Sequence, residues 1–385
     1  MGRAARVLAA PAVAFLLSLL FLKYAPVPYA WTSVAWAVAW LFVAAVSPQT
    51  PVRGTCIAMT SLALSLLVVE GCSYVLLTLP WGLTRDVTST KPYLDTDDVL
   101  GYALRGDTLI HSTLSHGREV VYDATYTINA NGLRMTPPPR PPHESDCILY
   151  FGDSFTFGEG VGDKDTSPYV VGELSGYQTY NFSFQGYGPN QILAWIESGR
   201  VQHIVMCAPR LIVYETAVEQ VPHVAGLASW DPHGPRFVRT AGGVARAGNF
   251  DDGPRSLARR QLEKSFAYEK FLGQGRAITN DDVDLFVDVI AATRQRLAAA
   301  YPAATMHVLL WDRQPANRLY QSLREKVRAS GVSVHEVSEI LPGYPNEHAR
   351  DELSPYDTHP SASAQRAVGA WIVKTLLPDA PKGGS

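Results

Sequence analysis

The chain has only four cysteines in 385 residues, and no two are spaced C-x-x-C. That excludes a disulfide-built scaffold and leaves no basis for a structural zinc site. Charge of one sign is not in excess either: 33 Lys and Arg stand against 36 Asp and Glu, a formal net charge of −3. The bulk basic footprint of a nucleic-acid binder is therefore missing. There are no heptads, the 30 glycines have no period, and 46% of residues are hydrophobic, which excludes coiled-coil, collagen-like and disordered chains. His203, His223, His233, His307, His335 and His348 show no H-x-x-x-H spacing, so no metal is expected. The glycines of GEGVG at 158–162 lack the spacing of a dinucleotide fingerprint, and no cofactor is expected. No internal repeat is visible.

What the chain does have is an uneven distribution of apolar residues, nearly all of whose long runs lie before residue 80. Val7–Leu22, Tyr29–Val46 and Cys56–Leu79 are each near the ~20 residues that cross ~30 Å of hydrocarbon, and only Glu70 interrupts the third. Pro26 and Pro28 punctuate the first gap, Pro48 and Pro51 the second, and Trp31, Trp36, Trp40 and Trp81 supply interfacial anchors. The pattern predicts three transmembrane helices in a membrane anchor over residues 1–82. A signal peptide is the alternative for the first run, but two further runs follow and no small-x-small cleavage site lies at the expected distance. Arg3, Arg6 and Arg53 against Lys23 alone place the N-terminus in the cytoplasm, and three crossings then put the remainder outside it. Glu70 reads as a protonated carboxyl, or as a hydrogen-bond partner of Ser61, Ser65 or Ser73, rather than as a functional acid. Cys56 and Cys72 in the same run read as small buried residues.

Residues 83–145 read as a small β-rich lead-in, with strand-like alternation at Val121, Tyr126 and Ile128, an Asn-Ala-Asn-Gly turn, and a stiff PPPRPP linker. From 146 to about 380 short apolar strands (CILYF, TYNFSF, LIVYET, MHVLLW, VSVHEV) alternate with amphipathic helices over 281–300, 317–330 and 362–377. That alternation predicts an α/β domain with a parallel sheet covered on both faces. An insertion at about 225–280, containing Trp230, Phe237 and Phe250, breaks it.

Ser154 follows the first strand of this domain, in Phe151-Gly152-Asp153-Ser154. A strand that delivers a serine to a tight glycine turn leaves backbone N–H groups free for an oxyanion, although a serine there also serves as a simple helix cap. About 200 residues on, Asp357 and His359 flank one residue just before the last helix, where a carboxylate can orient an imidazole toward Ser154. A surface loop with Asp357 or Ser361 capping that helix is the plainer alternative.

The pair GDSFTFGEGV and DTHPS resembles the SGNH, or GDSL, hydrolase family over roughly 146–378. The resemblance implies a flavodoxin-like three-layer α/β/α fold, with Ser154 as nucleophile, His359 as general base and Asp357 orienting it. The family's second block matches NFSFQGYGPN, which implies Gly186 as an oxyanion donor, with Gly188 the competing position. At the third block the family has an asparagine, whereas this chain reads Ala217-Val218-Glu219-Gln220. Gln220 or Asn190 is then the candidate amide donor. The function implied is ester chemistry on an O-acylated envelope or secreted glycan. An O-acyltransferase, or a weakly catalytic glycan-binding component of a polysaccharide-assembly system, is the alternative. Cys147 and Cys207 either form a disulfide or remain two buried thiols.

Overall fold

The computed structural model describes residues 3–25, 27–78, 85–90, 93–143, 145–253, 261–262, 264–271, 276–346 and 348–378. The chain divides into two units, Met1–Gly82 with Asp252–Arg276, and Leu83–Asp251 with Ala277–Ser385.

The first unit is built on α1 (Arg3–Tyr24), α2 (Pro28–Val46) and α3 (Thr50–Thr78). Pro28 opens α2 at a position where its missing N–H costs no helical bond. Two stretches, Pro28–Val46 and Thr50–Leu77, are long and apolar enough to cross a membrane by length and composition. Among the described residues α1 contributes a shorter apolar stretch, Ala9–Tyr24. The expectation of three spans is met by length and composition for two. Trp81 lies outside the described residues.

Glu70 is buried and has partners other than those expected from sequence. Ser61, Ser65 and Ser73 each donate to a carbonyl of α3 itself. The Glu70 carboxylate instead accepts from Ser265 Oγ (2.7 Å), Phe266 N (2.8 Å) and Ala267 N (3.1 Å). It thereby caps the start of the helix Phe266–Phe271, whose first N–H groups have no helical acceptor. Phe266 packs edge-on against Tyr74, Lys264 Nζ donates to Leu22 O, and Tyr29 Oη donates to Gln261 O. The insertion is therefore divided, with its middle part belonging to the apolar helical unit.

The second unit begins with β1 (Arg85–Ser89), β2 (Leu94–Asp97), β3 (Gly101–Leu104), β4 (Thr108–His116) and β5 (Glu119–Ile128). β1, β4 and β5 form an antiparallel sheet, and β2–β3 a hairpin. The α/β core follows. Its strands are β6 (Asp146–Phe151), β7 (Gln178–Asn181) and β8 (Ala208–Ala217), then, after a β9 (Pro235–Thr240) and β10 (Gly243–Asn249) hairpin, β11 (Thr305–Trp311) and β12 (Ser333–Glu336). The five core strands are parallel in the order β12-β11-β8-β6-β7. The strand expected at 179–184 stops at Asn181, where the chain turns toward the site.

Alternation along the strands builds three layers, because successive side chains leave a strand on opposite faces. Leu149, Phe151, Ile212, Tyr214, Val308 and Leu310 pack with residues of α6 (Pro189–Glu197), α7 (Asn280–Ala300) and α8 (Arg318–Ala329). On the other face Ile148, Tyr150, Leu211, Val213, Leu309 and Trp311 pack with Val171 of α5 (Ser167–Ser175) and with Ala364, Val368 and Ile372 of α9 (Ala362–Leu376). Cys147 and Cys207 are joined in a disulfide, with Cα atoms 5.9 Å apart.

The lead-in connects to this sheet through Arg134, which bridges Ile128 and Asn181. Its side chain is 1% exposed. Nη1 donates to Phe157 O and Gly158 O and Nη2 to Val161 O, each at 2.6 Å, and Nε donates to Asp163 at 3.1 Å. The guanidinium also lies against the rings of Tyr126 and Phe157. It thus holds the segment that follows Ser154. Arg134→Met keeps the volume but strands the buried carbonyls of Phe157 and Val161, and leaves Gly158 O to the Val161 N–H and the Asp163 carboxylate to the Thr127 N–H. Thermal unfolding of the full chain in detergent micelles is expected to reveal a loss of about 3–5 kcal/mol; a loss below about 1 kcal/mol would contradict this role.

Candidate active site

The site lies beyond the carboxyl ends of the core strands, on either side of β6, where the chain order across the sheet reverses. β6 delivers the chain into Gly152, where any Cβ would sit 2.0 Å from Thr156 Oγ1 and 3.1 Å from Glu215 O. Only glycine permits so close an approach. Asp153 then caps the one-turn helix α4 (Ser154–Phe157), its Oδ1 accepting from Phe155 N at 2.8 Å. Ser154 is the first residue of that turn.

The histidine arrives on a separate strand pair, β13 (Glu352–Ser354) and β14 (Asp357–Pro360). Ser361 caps α9 immediately afterwards, accepting from Ala364 N. Gln365 in the first turn of α9 donates to Phe155 O (2.6 Å) and accepts from Ser167 N (2.8 Å), which ties this end of the chain to the serine turn. His359 Nε2 lies 2.8 Å from Ser154 Oγ, and His359 Nδ1 lies 2.5 Å from Asp357 Oδ1. Asp357 also accepts from His359 N at 3.0 Å, so carboxylate and imidazole are held by two contacts.

A second carboxylate reaches the same imidazole. Glu159 Oε2 is 3.3 Å from His359 Nε2, and Tyr122 Oη donates to Glu159 Oε1. Burial is the largest single influence on His359 and pulls its pKa down. Glu159, Asp357 and Asp153 together outweigh it, and the net shift is upward. Burial pushes Asp153 up, and pushes Glu215 up to about 7. Glu215 lies in β8, where it accepts from Trp311 Nε1 at 3.0 Å. An acid inside the apolar run LIVYET was the sequence signal for it.

The sequence-predicted oxyanion residues fall out unequally. Gly186, at φ +74°, lines the cleft, and among the described residues no acceptor takes up its N–H or that of Ser154. The Gly188 N–H is taken by Gln191 Oε1 at 2.9 Å, which removes the competing position. Gln220 also lines the cleft, and its amide is partly engaged: Oε1 accepts from Thr216 Oγ1 and one N–H of Nε2 donates to Asp153 Oδ2. Asn190 is not at the cleft. It opens α6, and its Nδ2 donates to Pro235 O, so its amide serves the β9 hairpin.

The cleft has a volume of about 470 Å³. Sequence reasoning missed several of its residues. Burial takes His223 down to about 4, so it is neutral near pH 7, and its ring meets Trp230 edge-on at 5.1 Å. Trp230 Nε1 donates to Gly186 O (3.3 Å). Arg313, at the end of β11, stands 3.7 Å from Glu219 and 3.9 Å from Glu352. Among the described residues no group of three or more His, Cys, Asp or Glu is arranged to hold a metal ion.

No protein-family model matches the chain, and no curated protein does. Similar solved structures include one described as a lipolytic protein of the G-D-S-L family from Desulfitobacterium hafniense DCB-2 (13% identity, TM-score 0.34, 60% of this chain and 98% of that one). Another is a carbohydrate esterase family 2 enzyme with a carbohydrate-binding domain from Corynascus thermopiles (15% identity, TM-score 0.36, 77% of this chain and 87% of that one). A salicylyl-acyltransferase from a tetracycline biosynthetic pathway is similar at 11% identity and TM-score 0.36, over 63% of this chain and 58% of that one. At these scores the likenesses carry no information about activity, which has to be read from the side chains of the chain itself.

Proposed function

We propose that this chain is a membrane-anchored serine esterase of the SGNH type, acting outside the cytoplasm on O-acylated glycans. The observation that carries the reading is the continuous contact Ser154 Oγ–His359 Nε2–His359 Nδ1–Asp357, whose serine and histidine line a cleft. Ser154 Oγ attacks the acyl carbonyl while His359 Nε2 takes its proton, and Asp357 fixes the tautomer that leaves Nε2 free to accept. The Ser154 and Gly186 N–H groups receive the oxyanion. His359 then protonates the leaving sugar oxygen, and water, activated by the same nitrogen, releases the acid from Ser154. A sugar hydroxyl in place of that water makes the same site an acyltransferase.

The position outside the cytoplasm is supported by the Cys147–Cys207 disulfide, which persists in oxidising compartments. Three crossings from a cytoplasmic N-terminus reach the same side. The 22 residues of α1 rise about 33 Å as helix, enough for a span if its basic first turn sits among headgroups.

Incubating the full chain in micelles with acetylated oligosaccharides tests the reading directly. Free acetate that depends on Ser154 is expected; its absence, with acetyl groups found on an added sugar acceptor, would favour transfer over hydrolysis.

Glu159 gives a second test. His359 must be neutral to accept the serine proton, so activity rises with pH through its raised pKa. Removing the Glu159 charge lowers that pKa, and Glu159→Gln is expected to extend activity to lower pH while reducing the plateau, because the imidazolium formed during the reaction loses a partner. A pH–rate profile whose acid limb does not move would show that Glu159 leaves His359 untouched.

A further inference from the structure

A second pocket, of about 290 Å³, shares Gln185 and Trp230 with the catalytic cleft. Tyr102 and Phe184 form apolar walls, Trp230 stands between the two spaces, and Asp231 and His233 supply polar groups. We propose that this pocket is a glycan subsite, in which an uncharged sugar ring next to the acylated one stacks on Trp230 and donates a hydroxyl to Asp231. The inference rests on the esterase reading for the position of the acylated ring and extends it to the substrate.

Trp230 is 58% exposed, uncommon for so large an apolar side chain, yet it is fixed by its bond to Gly186 O and by the edge of His223. A rigid, half-bared indole offers area at little entropic cost to whatever lies on it. Asp231 supplies the independent observation. It is 6% exposed, its Oδ2 is held by Gln191, and its Oδ1 is buried with no hydrogen-bond partner. That oxygen faces Gly101, a pocket-lining glycine at φ +87° whose Cβ would come within 2.6 Å of it. A buried acceptor left unpaired is costly, so one on a side chain that lines a cavity marks a place where a ligand donor belongs. Nearby, His233 uses Nδ1 on Asp251 and is half exposed.

Aromatic faces beside a lone acceptor suit a molecule with C–H faces and hydroxyl edges. An acyl chain would leave the Asp231 oxygen unsatisfied. An anionic ring, such as a uronate, would meet Asp231 with like charge. A neutral sugar meets both requirements, and Gln185 and Trp230 bring it against the turn that carries Gly186.

The test uses the full chain carrying Ser154→Ala in detergent micelles, so that no turnover intervenes. Cellotetraose, mannotetraose, N-acetylchitotetraose and tetragalacturonate are titrated by calorimetry, with tryptophan fluorescence as a second readout. At least one neutral tetraose is expected to bind. Trp230→Ala should weaken it about tenfold and Asp231→Asn should weaken it less, whereas Trp230→Phe, which keeps a ring, should retain most of the affinity. Binding that is indifferent to these changes, or preference for the uronate, would overturn the proposal. No neutral tetraose binding, with Ser154 of the unsubstituted chain still labelled by a fluorophosphonate, would end the glycan subsite and leave the esterase reading standing. Binding without labelling would do the reverse.

Discussion

Replacing Ser154 with alanine is expected to lower ester turnover by about 10⁴-fold or more while leaving the unfolding temperature nearly unchanged. Ser154 is half-buried and the single described contact of its hydroxyl is the 2.8 Å bond to His359, so little stability depends on it. In the proposed mechanism catalysis depends on it entirely, because without Oγ there is no acyl-enzyme. Comparable triads lose more, about 10⁶-fold. A smaller figure is expected here because Gln220, where the resemblance places the third oxyanion donor, already commits one of its two amide N–H groups to Asp153. A missing donor is worth about 10²–10³ in rate, which lowers the starting activity against which the loss is measured. Turnover of a chromogenic acetate ester by the full chain gives the number. Undiminished turnover would remove Ser154 from the chemistry.

Asp357→Asn is expected to cost about 10⁴-fold in kcat/KM, with the fold retained. An asparagine amide offers an N–H to His359 Nδ1, and the imidazole then carries its proton on Nε2, pointing at Ser154 instead of accepting from it. Glu159 makes the error worse in this chain. Its Oε2, 3.3 Å from Nε2, accepts that misplaced proton and holds the wrong tautomer. The double variant Asp357→Asn, Glu159→Gln should therefore recover part of the loss, which a purely structural effect of Asp357→Asn would not allow. Equal activity of the two variants would mean that Glu159 takes no part in setting the tautomer.

The sequence was legible where function is local. Gly152, Asp153 and Ser154 lie within one turn, and Asp357 and His359 within one short strand, so their spacing alone restricts what they can do. The sheet was legible because both of its faces are buried, and strand after strand is therefore apolar. Long-range partners were not. Nothing in the residues around Arg134 says that its guanidinium reaches Phe157 O, Gly158 O and Val161 O, and nothing near Glu70 says that residues 265–267 bind it. Gln220 sat at the right place in the chain for an oxyanion donor, but its commitment to Asp153 depends on two strand ends being neighbours. Asn190 failed for the same reason, since a β9 carbonyl claims its amide. The division of the insertion bears on experiments. Cutting the chain near residue 86 would leave Asp252–Arg276 without the helices it packs on, so the full chain is the right material.

The most direct measurement treats the full chain in micelles with a fluorophosphonate probe and reads the intact mass. One adduct, mapping to Ser154 and lost in His359→Ala, is the predicted result, because only a serine whose proton His359 can accept reacts at a useful rate. A folded protein that takes up no probe, or takes it up equally without His359, would contradict the account.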